Sequence, residues 1–262
     1  IAAENPDQYT FVSAETITAE FANASSDFIV APVNAGAKLY KMGKSDYKLA
    51  AVLSWGNLFF ASRRADFKLD DINGAKITLF GENTINSSIA LFALKANGIV
   101  PSEVSYLAGA ANTQQLLLSD PSAIVLTAEP ALTAARVKMP EISSYPLNDL
   151  FFKATGNTGF TQAGLFVKSE LAEKNPQAVE AYLSLVRESC DKCSSDISSV
   201  AEAAVALEIL PNVKVAEAAI PNCAVSYVPA REAKEMVEIS ANIDLKQFGG
   251  ALPSDDFYYG AK

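Results

Sequence analysis

The 262-residue sequence contains no histidine. That absence excludes a Ser-His-Asp triad, a Cys-His dyad, a histidine general base and any zinc site built on imidazole. Cysteine is scarce as well. Three residues fall short of the four thiolates that a cysteine-only zinc site needs. Positive charge is in deficit: 21 Lys and Arg stand against 30 Asp and Glu, a net charge of -9. Such a chain lacks the electrostatic footprint for non-specific binding to nucleic acid or anionic membranes. No apolar run reaches the ~20 residues of a membrane-spanning helix. The longest uncharged stretch near the start, 49–62, is broken by Ser54, Trp55, Gly56 and Asn57. The opening residues show neither the basic cluster nor the apolar run of a leader, which leaves export open.

What is present is the composition of a globular protein. Hydrophobic residues make up 50% and charged residues 19%. The length fits one large domain or two small ones. Short apolar runs alternate with helical patterns over the first two-thirds. Strands are expected over 9–13, 28–31, 48–53 and 58–61, with helices over 17–24 and 33–42. Runs of this kind, closed by turn residues, read as buried parallel strands. After Arg63 and Arg64 the rhythm restarts. Strands are expected over 76–80, 104–108, 123–126 and 141–145, with helices from Thr84 to Gly98, over 112–118 and over 129–137. This βαβ order predicts a second parallel sheet with helices on both faces. One more strand, 164–167, leads into a mostly helical tail with a short strand at 225–228. In that tail Asn175 caps a helix, Pro176 fills its first turn, and Val179, Leu183, Val186 and Cys190 form one apolar stripe.

The cysteines Cys190, Cys193 and Cys223 leave two main readings open: small buried side chains, or one disulfide from Cys223 to Cys190 or Cys193. No phosphate-binding glycine fingerprint and no nucleophile elbow is present. Neither catalytic residues nor a metal site nor a cofactor is expected. Open α/β sheets bind ligands at the carboxyl ends of their strands. The loops there carry Asn34, Ser54, Trp55, Asn57, Asn83, Thr84, Thr127 and Glu129, mostly hydroxyl and amide groups suited to hydrogen bonding. Each has a plainer role open to it: a helix cap for Asn83 or Thr84, a turn for Asn34, a core ring for Trp55, a first-turn carboxylate for Glu129. Phe160 adds an aromatic ring for stacking.

Several stretches resemble the type-II solute-binding proteins of ABC importers, in the nitrate/sulfonate/taurine-like branch and close to an uncharacterised bacterial subgroup. They are 69–77 (LDDINGAKI), 122–130 (SAIVLTAEP), 166–171 (FVKSEL), 175–179 (NPQAV), 219–223 (AIPNC) and 252–259 (LPSDDFYY). The resemblance implies two Rossmann-like lobes joined by two crossover strands, with a helical C-terminal tail packed on lobe one. Lobe one is expected to hold 1–61 and 164–262, and lobe two 62–163. It implies capture of a small polar solute, sulfonate-, nitrate- or heterocycle-like, in the interlobe cleft, and delivery to a membrane permease and ATPase. It further implies a monomer outside the cytoplasm, periplasmic or lipid-anchored, with no nucleic-acid partner. The rivals are an enzyme of the same fold, like a thiamine-pyrimidine precursor synthase, and the sensing domain of a regulator. Two departures stand out. The strand and helix that usually open lobe one are missing here, and the cleft loops hold no Arg or Lys for an anion.

Overall fold

The computed structural model describes all residues except Ala3, Ala14, Glu15, Ala261 and Lys262. In chain order the elements are α1 (Ile17–Asn23), β1 (Phe28–Pro32), α2 (Val33–Lys41), β2 (Tyr47–Ser54), β3 (Leu58–Ser62), β4 (Lys76–Phe80), α3 (Ile85–Ala96), β5 (Glu103–Leu107), α4 (Ala110–Ser119), β6 (Ile124–Ala128), α5 (Ala131–Lys138), β7 (Ser143–Pro146) and α6 (Leu147–Thr155). They continue with β8 (Ala163–Lys168), α7 (Ser169–Lys174), α8 (Pro176–Ser195), α9 (Ile197–Ala206), α10 (Val213–Ala219), β9 (Val225–Pro229) and α11 (Ala230–Ile243). Two compact units result. Unit one comprises Ile1–Trp55, Thr161–Ile209 and Ala224–Lys262; unit two comprises Gly56–Phe160 and Leu210–Cys223. The expected boundaries shift at each crossing: residues 56–61, which carry most of β3, fall in unit two, residues 161–163 fall in unit one, and 210–223 leave the tail. Residues 210–223 were expected to stay with the tail, yet α10 packs on α5 of unit two. Its buried Val215, Ala216 and Ala219 supply the apolar face for that contact.

Unit one holds a four-stranded sheet in the order β1-β8-β2-β9. Every pairing in it is antiparallel, which corrects the expectation of parallel strands. The strands β1 and β2 do run the same way, but β8 lies between them and pairs with both. Residues 9–13, expected as a strand, form none. One face of the sheet carries Ala51, Leu165 and Val167 against Val179, Leu183, Val186 and Cys190 of α8. The other face is aromatic: Phe21 of α1 meets Tyr47 and Phe166 edge-on, with ring centroids 5.5 and 5.2 Å away. The α2 helix crosses this face closely because Gly36 has no side chain. A Cβ there would lie 2.3 Å from the Phe166 ring.

Unit two holds a five-stranded sheet in the order β5-β4-β6-β3-β7. Here β4 pairs in parallel with β5 and β6, as expected, while β3 runs antiparallel between β6 and β7. Phe59, Ala61 and Val125 pack with Leu117 of α4 and with Leu132 and Ala135 of α5. The α6 helix was not anticipated. Pro146 precedes it, buried Leu147, Leu150 and Phe151 form its inner face, and Gly156 ends it in the left-handed region. Among the described residues no helix is long and apolar enough to cross a membrane. The three cysteines form no disulfide, so of the two readings left open the link from Cys223 to Cys190 or Cys193 is absent. Cys190 sits instead in the α8 core of unit one, where burial pushes its thiol up to about 11.

Candidate functional site

In unit one the candidate residues gather where β1 and β2 end and β8 begins. The β1–β8 register carries past the strands: the Val33 N–H donates to the Gln162 carbonyl at 2.8 Å. On the other side of β8, the Ala163 N–H donates to Ser54 Oγ at 3.0 Å and the Gln162 N–H to the Ser54 carbonyl at 3.1 Å. Ser54 therefore works first as a clamp on β8. Trp55 follows it, with Nε1 donating to the Ser226 carbonyl at 2.9 Å and its backbone N–H to the Ala224 carbonyl at 3.0 Å. Asn34 differs from both. It lies in the first turn of α2, half-buried, and its side chain has no hydrogen-bond partner among the described residues. That turn holds no acidic residue, so the partial positive charge of the helix end is uncompensated there.

In unit two the corresponding ends belong to β4, β5 and β6. Thr84 is the N-cap of α3. Its Oγ1 donates to the Gly81 carbonyl at 2.7 Å, and Ser87 Oγ donates to the Thr84 carbonyl at 2.9 Å. Asn83 beside it is exposed and has a φ of 57°. The first turns of α3 and α4 hold no acidic residue either. Asn57 and Glu129 are locked together: Asn57 Nδ2 donates to the Glu129 carbonyl, and the Glu129 N–H to the Asn57 carbonyl, both at 3.0 Å. The Glu129 side chain is buried, and both its oxygens serve α5. One accepts from the Thr133 N–H at 3.0 Å, the other from Thr133 Oγ1 at 2.9 Å. Burial raises its carboxyl above the ordinary range, against the opposing pull of the two Thr133 bonds and of Arg136. The peptide from Glu129 to Pro130 is cis.

Thr127 lies two residues earlier on β6. Its hydroxyl is buried and has no hydrogen-bond partner among the described residues. Phe160 is fully buried, with its ring edge-on to Phe151 at 5.4 Å, so its stacking surface is spent inside unit two. The structure adds Asn148, whose Nδ2 donates to the Gly56 carbonyl at 3.0 Å. A sequence signal for it existed. Pro146-Leu147-Asn148 repeats Pro32-Val33-Asn34, and in both places the proline ends a strand and the buried aliphatic residue starts a helix.

No family model and no curated protein matches the sequence. Solved structures do match. The chain covers 97% of its length against 88% of an ABC transporter structure from Parabacteroides distasonis, at 22% identity and a TM-score of 0.82. It is similar to the periplasmic aliphatic sulphonate binding protein SsuA of Escherichia coli, at 15% identity and a TM-score of 0.72, over 96% of this chain and 81% of that one. A zinc-bound ligand-binding component of an ABC-type import system from Staphylococcus aureus matches at 14% identity and a TM-score of 0.67, over 97% and 87%. The chain thus has the α/β fold of the solute-binding components of ABC importers, the group its sequence resembles.

Proposed function

We propose that this protein is the solute-binding component of an ABC importer. It captures a small polar molecule outside the cytoplasm and hands it to a membrane permease driven by an ATPase. The observation that carries this reading is the shared architecture, which extends over 97% of the chain at a TM-score of 0.82. Residue chemistry supports a binder. The strand ends offer helix N-termini, amides and hydroxyls, and no histidine is at hand for proton transfer. Asn34, Asn83, Thr84 and Thr127 are the proposed ligand contacts. Ser54, Asn57 and Glu129 hold the strand ends in place, with Trp55 next to Ser54 in unit one and Phe160 inside unit two. Helix N-termini and neutral donors suit a sulfonate, a nitrate or a zwitterion without a charged side chain.

The test is native mass spectrometry of the purified protein for a co-purifying molecule, followed by calorimetric titration with small sulfonates, nitrate and zwitterions. Binding that weakens at least tenfold in Asn34→Ala, with a change in Trp55 fluorescence on saturation, is the expected result. Turnover of a bound molecule would move the protein to the enzyme reading. Absence of any bound or titrating small molecule would remove the proposal.

A further inference from the structure

The chain contains two Asn-Gly steps, Asn73-Gly74 and Asn97-Gly98, and both lie at one corner of unit two. Asn73-Gly74 leads into β4. Asn97-Gly98 ends α3 and leads towards β5. Val100 ties the first step to the chain just after the second. The Gly74 N–H donates to the Val100 carbonyl at 2.8 Å, and the Val100 N–H donates to Asn73 Oδ1 at 3.0 Å. An Asn-Gly step sets an amide electrophile beside the least hindered of backbone nucleophiles. Glycine has no Cβ to shield its nitrogen or to restrict its rotation towards the preceding side-chain carbonyl. Whether the two groups react depends on how the fold holds them.

The two steps are held in opposite ways. At Asn73 the fold acts on the electrophile and the nucleophile. The Val100 N–H polarises the side-chain carbonyl and faces the oxygen on which negative charge develops when Cγ is attacked, as an oxyanion donor does. The Val100 carbonyl holds the Gly74 N–H, so the backbone of one residue tethers both reacting groups. Asn73 Nδ2, the leaving group, has no hydrogen-bond partner among the described residues. Asn73 and Gly74 are both exposed, and a Cβ on Gly74 would meet nothing within 4 Å, which leaves room for a ring to close. At Asn97 the fold ties down the leaving group instead. Asn97 Nδ2 donates to the Ala93 carbonyl at 2.7 Å and to the Leu150 carbonyl at 2.9 Å. The side chain is half-buried at the C-cap of α3, and among the described residues no donor reaches its Oδ1. The Gly98 N–H is turned back into the helix end, to the Lys95 carbonyl at 3.1 Å.

We propose that Asn73 is a self-modification site, a succinimide-forming asparagine that the fold promotes while it protects Asn97. The Gly74 nitrogen bonds to Asn73 Cγ and gives up its proton to solvent. The Cγ–Nδ2 bond then breaks, and Nδ2 takes a proton and leaves as ammonia. Water opens the ring at one carbonyl or the other, which yields aspartate or isoaspartate; nothing is oxidised or reduced. Either product adds a negative charge beside Asp70 and Asp71, in a chain already at -9. The isoaspartyl product also routes the main chain through the former side chain and lengthens it by one methylene between 73 and 74. The next rung, from the Ser102 N–H to the Ala75 carbonyl at 2.8 Å, then loses its register. That rung stands just ahead of the pairing of Lys76 with Glu103, where β4 and β5 begin.

The experiment incubates the protein at pH 8 and 37 °C, folded and in guanidinium chloride, and reads the one-dalton gain at each asparagine by peptide mass spectrometry. In denaturant the two steps share the same glycine and should convert within threefold of each other. In the folded protein Asn73 should convert at least as fast as in denaturant, and Asn97 at least tenfold more slowly than in denaturant. Asn73→Gln, whose longer side chain would have to close a larger ring, should show no gain at that position. Isoaspartyl chains separated from the aged protein should exchange the Ser102 amide at least tenfold faster than unconverted chains. Slower conversion of Asn73 in the folded protein than in denaturant would overturn the proposal. So would conversion of Asn97 ahead of Asn73, or a gain at position 73 that persists in Asn73→Gln.

Discussion

Unit two carries a five-stranded sheet where unit one carries a four-stranded one, built around a similar centre. Both place one antiparallel strand between two opposed neighbours, and both seat a helix directly after the strand that flanks it. They part in how the ladder is completed. Unit two extends it with β4 and β5 on one side; unit one adds only β9, on the side away from β1. The lesson concerns where stability is drawn from. Unit two buries its central strands β3 and β6 throughout, while its edge strands β5 and β7 stay largely half-buried. Unit one leans on the aromatic layer of Phe21, Tyr47, Phe166 and Phe257 to hold α1 and α2 against a shorter sheet.

Four substitutions probe that contrast, from the largest expected effect to the smallest. Phe21→Ala removes the centre of the aromatic layer and should cost about 3–5 kcal/mol in urea denaturation. A loss under about 1 kcal/mol would mean that α1 is not a pillar of unit one. Gly56→Ala tests the first residue of unit two. Its φ is +91°, and a Cβ would lie 2.2 Å from Asn148 Oδ1 and 2.8 Å from the Phe160 ring. Strain and overpacking together should cost about 3 kcal/mol. Gly36→Ala puts a methyl into the Phe166 ring, and a shift of that flexible ring should hold the cost to about 1–3 kcal/mol. A neutral outcome there would show that α2 sits more loosely on its sheet than α5 does.

The smallest effect is a pH dependence at Glu129→Gln. Burial raises the native carboxyl, so the native state holds its proton more tightly than the unfolded chain does. Its contribution is full below the usual carboxylate range and is lost as pH climbs through the raised native value. Denaturation midpoints from pH 4 to pH 7 should therefore fall more steeply for the natural protein than for the variant. Parallel curves would assign the pH response to other groups.

The sequence carried the element order well, because buried strands and amphipathic helices leave different periods. It carried little of the strand direction. The run 47–54 has the same apolar look whichever way its neighbour points, and the neighbour, β8, lies more than a hundred residues away. The α6 helix lies in the stretch between the strands expected over 141–145 and 164–167, where no element is expected from the sequence. At the site, residue chemistry identified polar positions at strand ends but not their obligations. Nothing local to Glu129 says that Thr133 will take both its oxygens, or that Ser54 will spend its hydroxyl on Ala163. Asn34 and Asn83 are legible as candidates because their places, the first turn of α2 and the loop ahead of α3, follow from the turn residues around them.

The passage of the chain between the units has a consequence for biosynthesis. It switches at 55/56, 160/161, 209/210 and 223/224. Unit two is not whole until residue 223 has been made, and unit one not until the last strand, β9, and α11 have followed. Domains that form contiguous segments fold one after another as they leave the ribosome. This chain has no such stopping point, so nearly all of it must be present before either half can close its core.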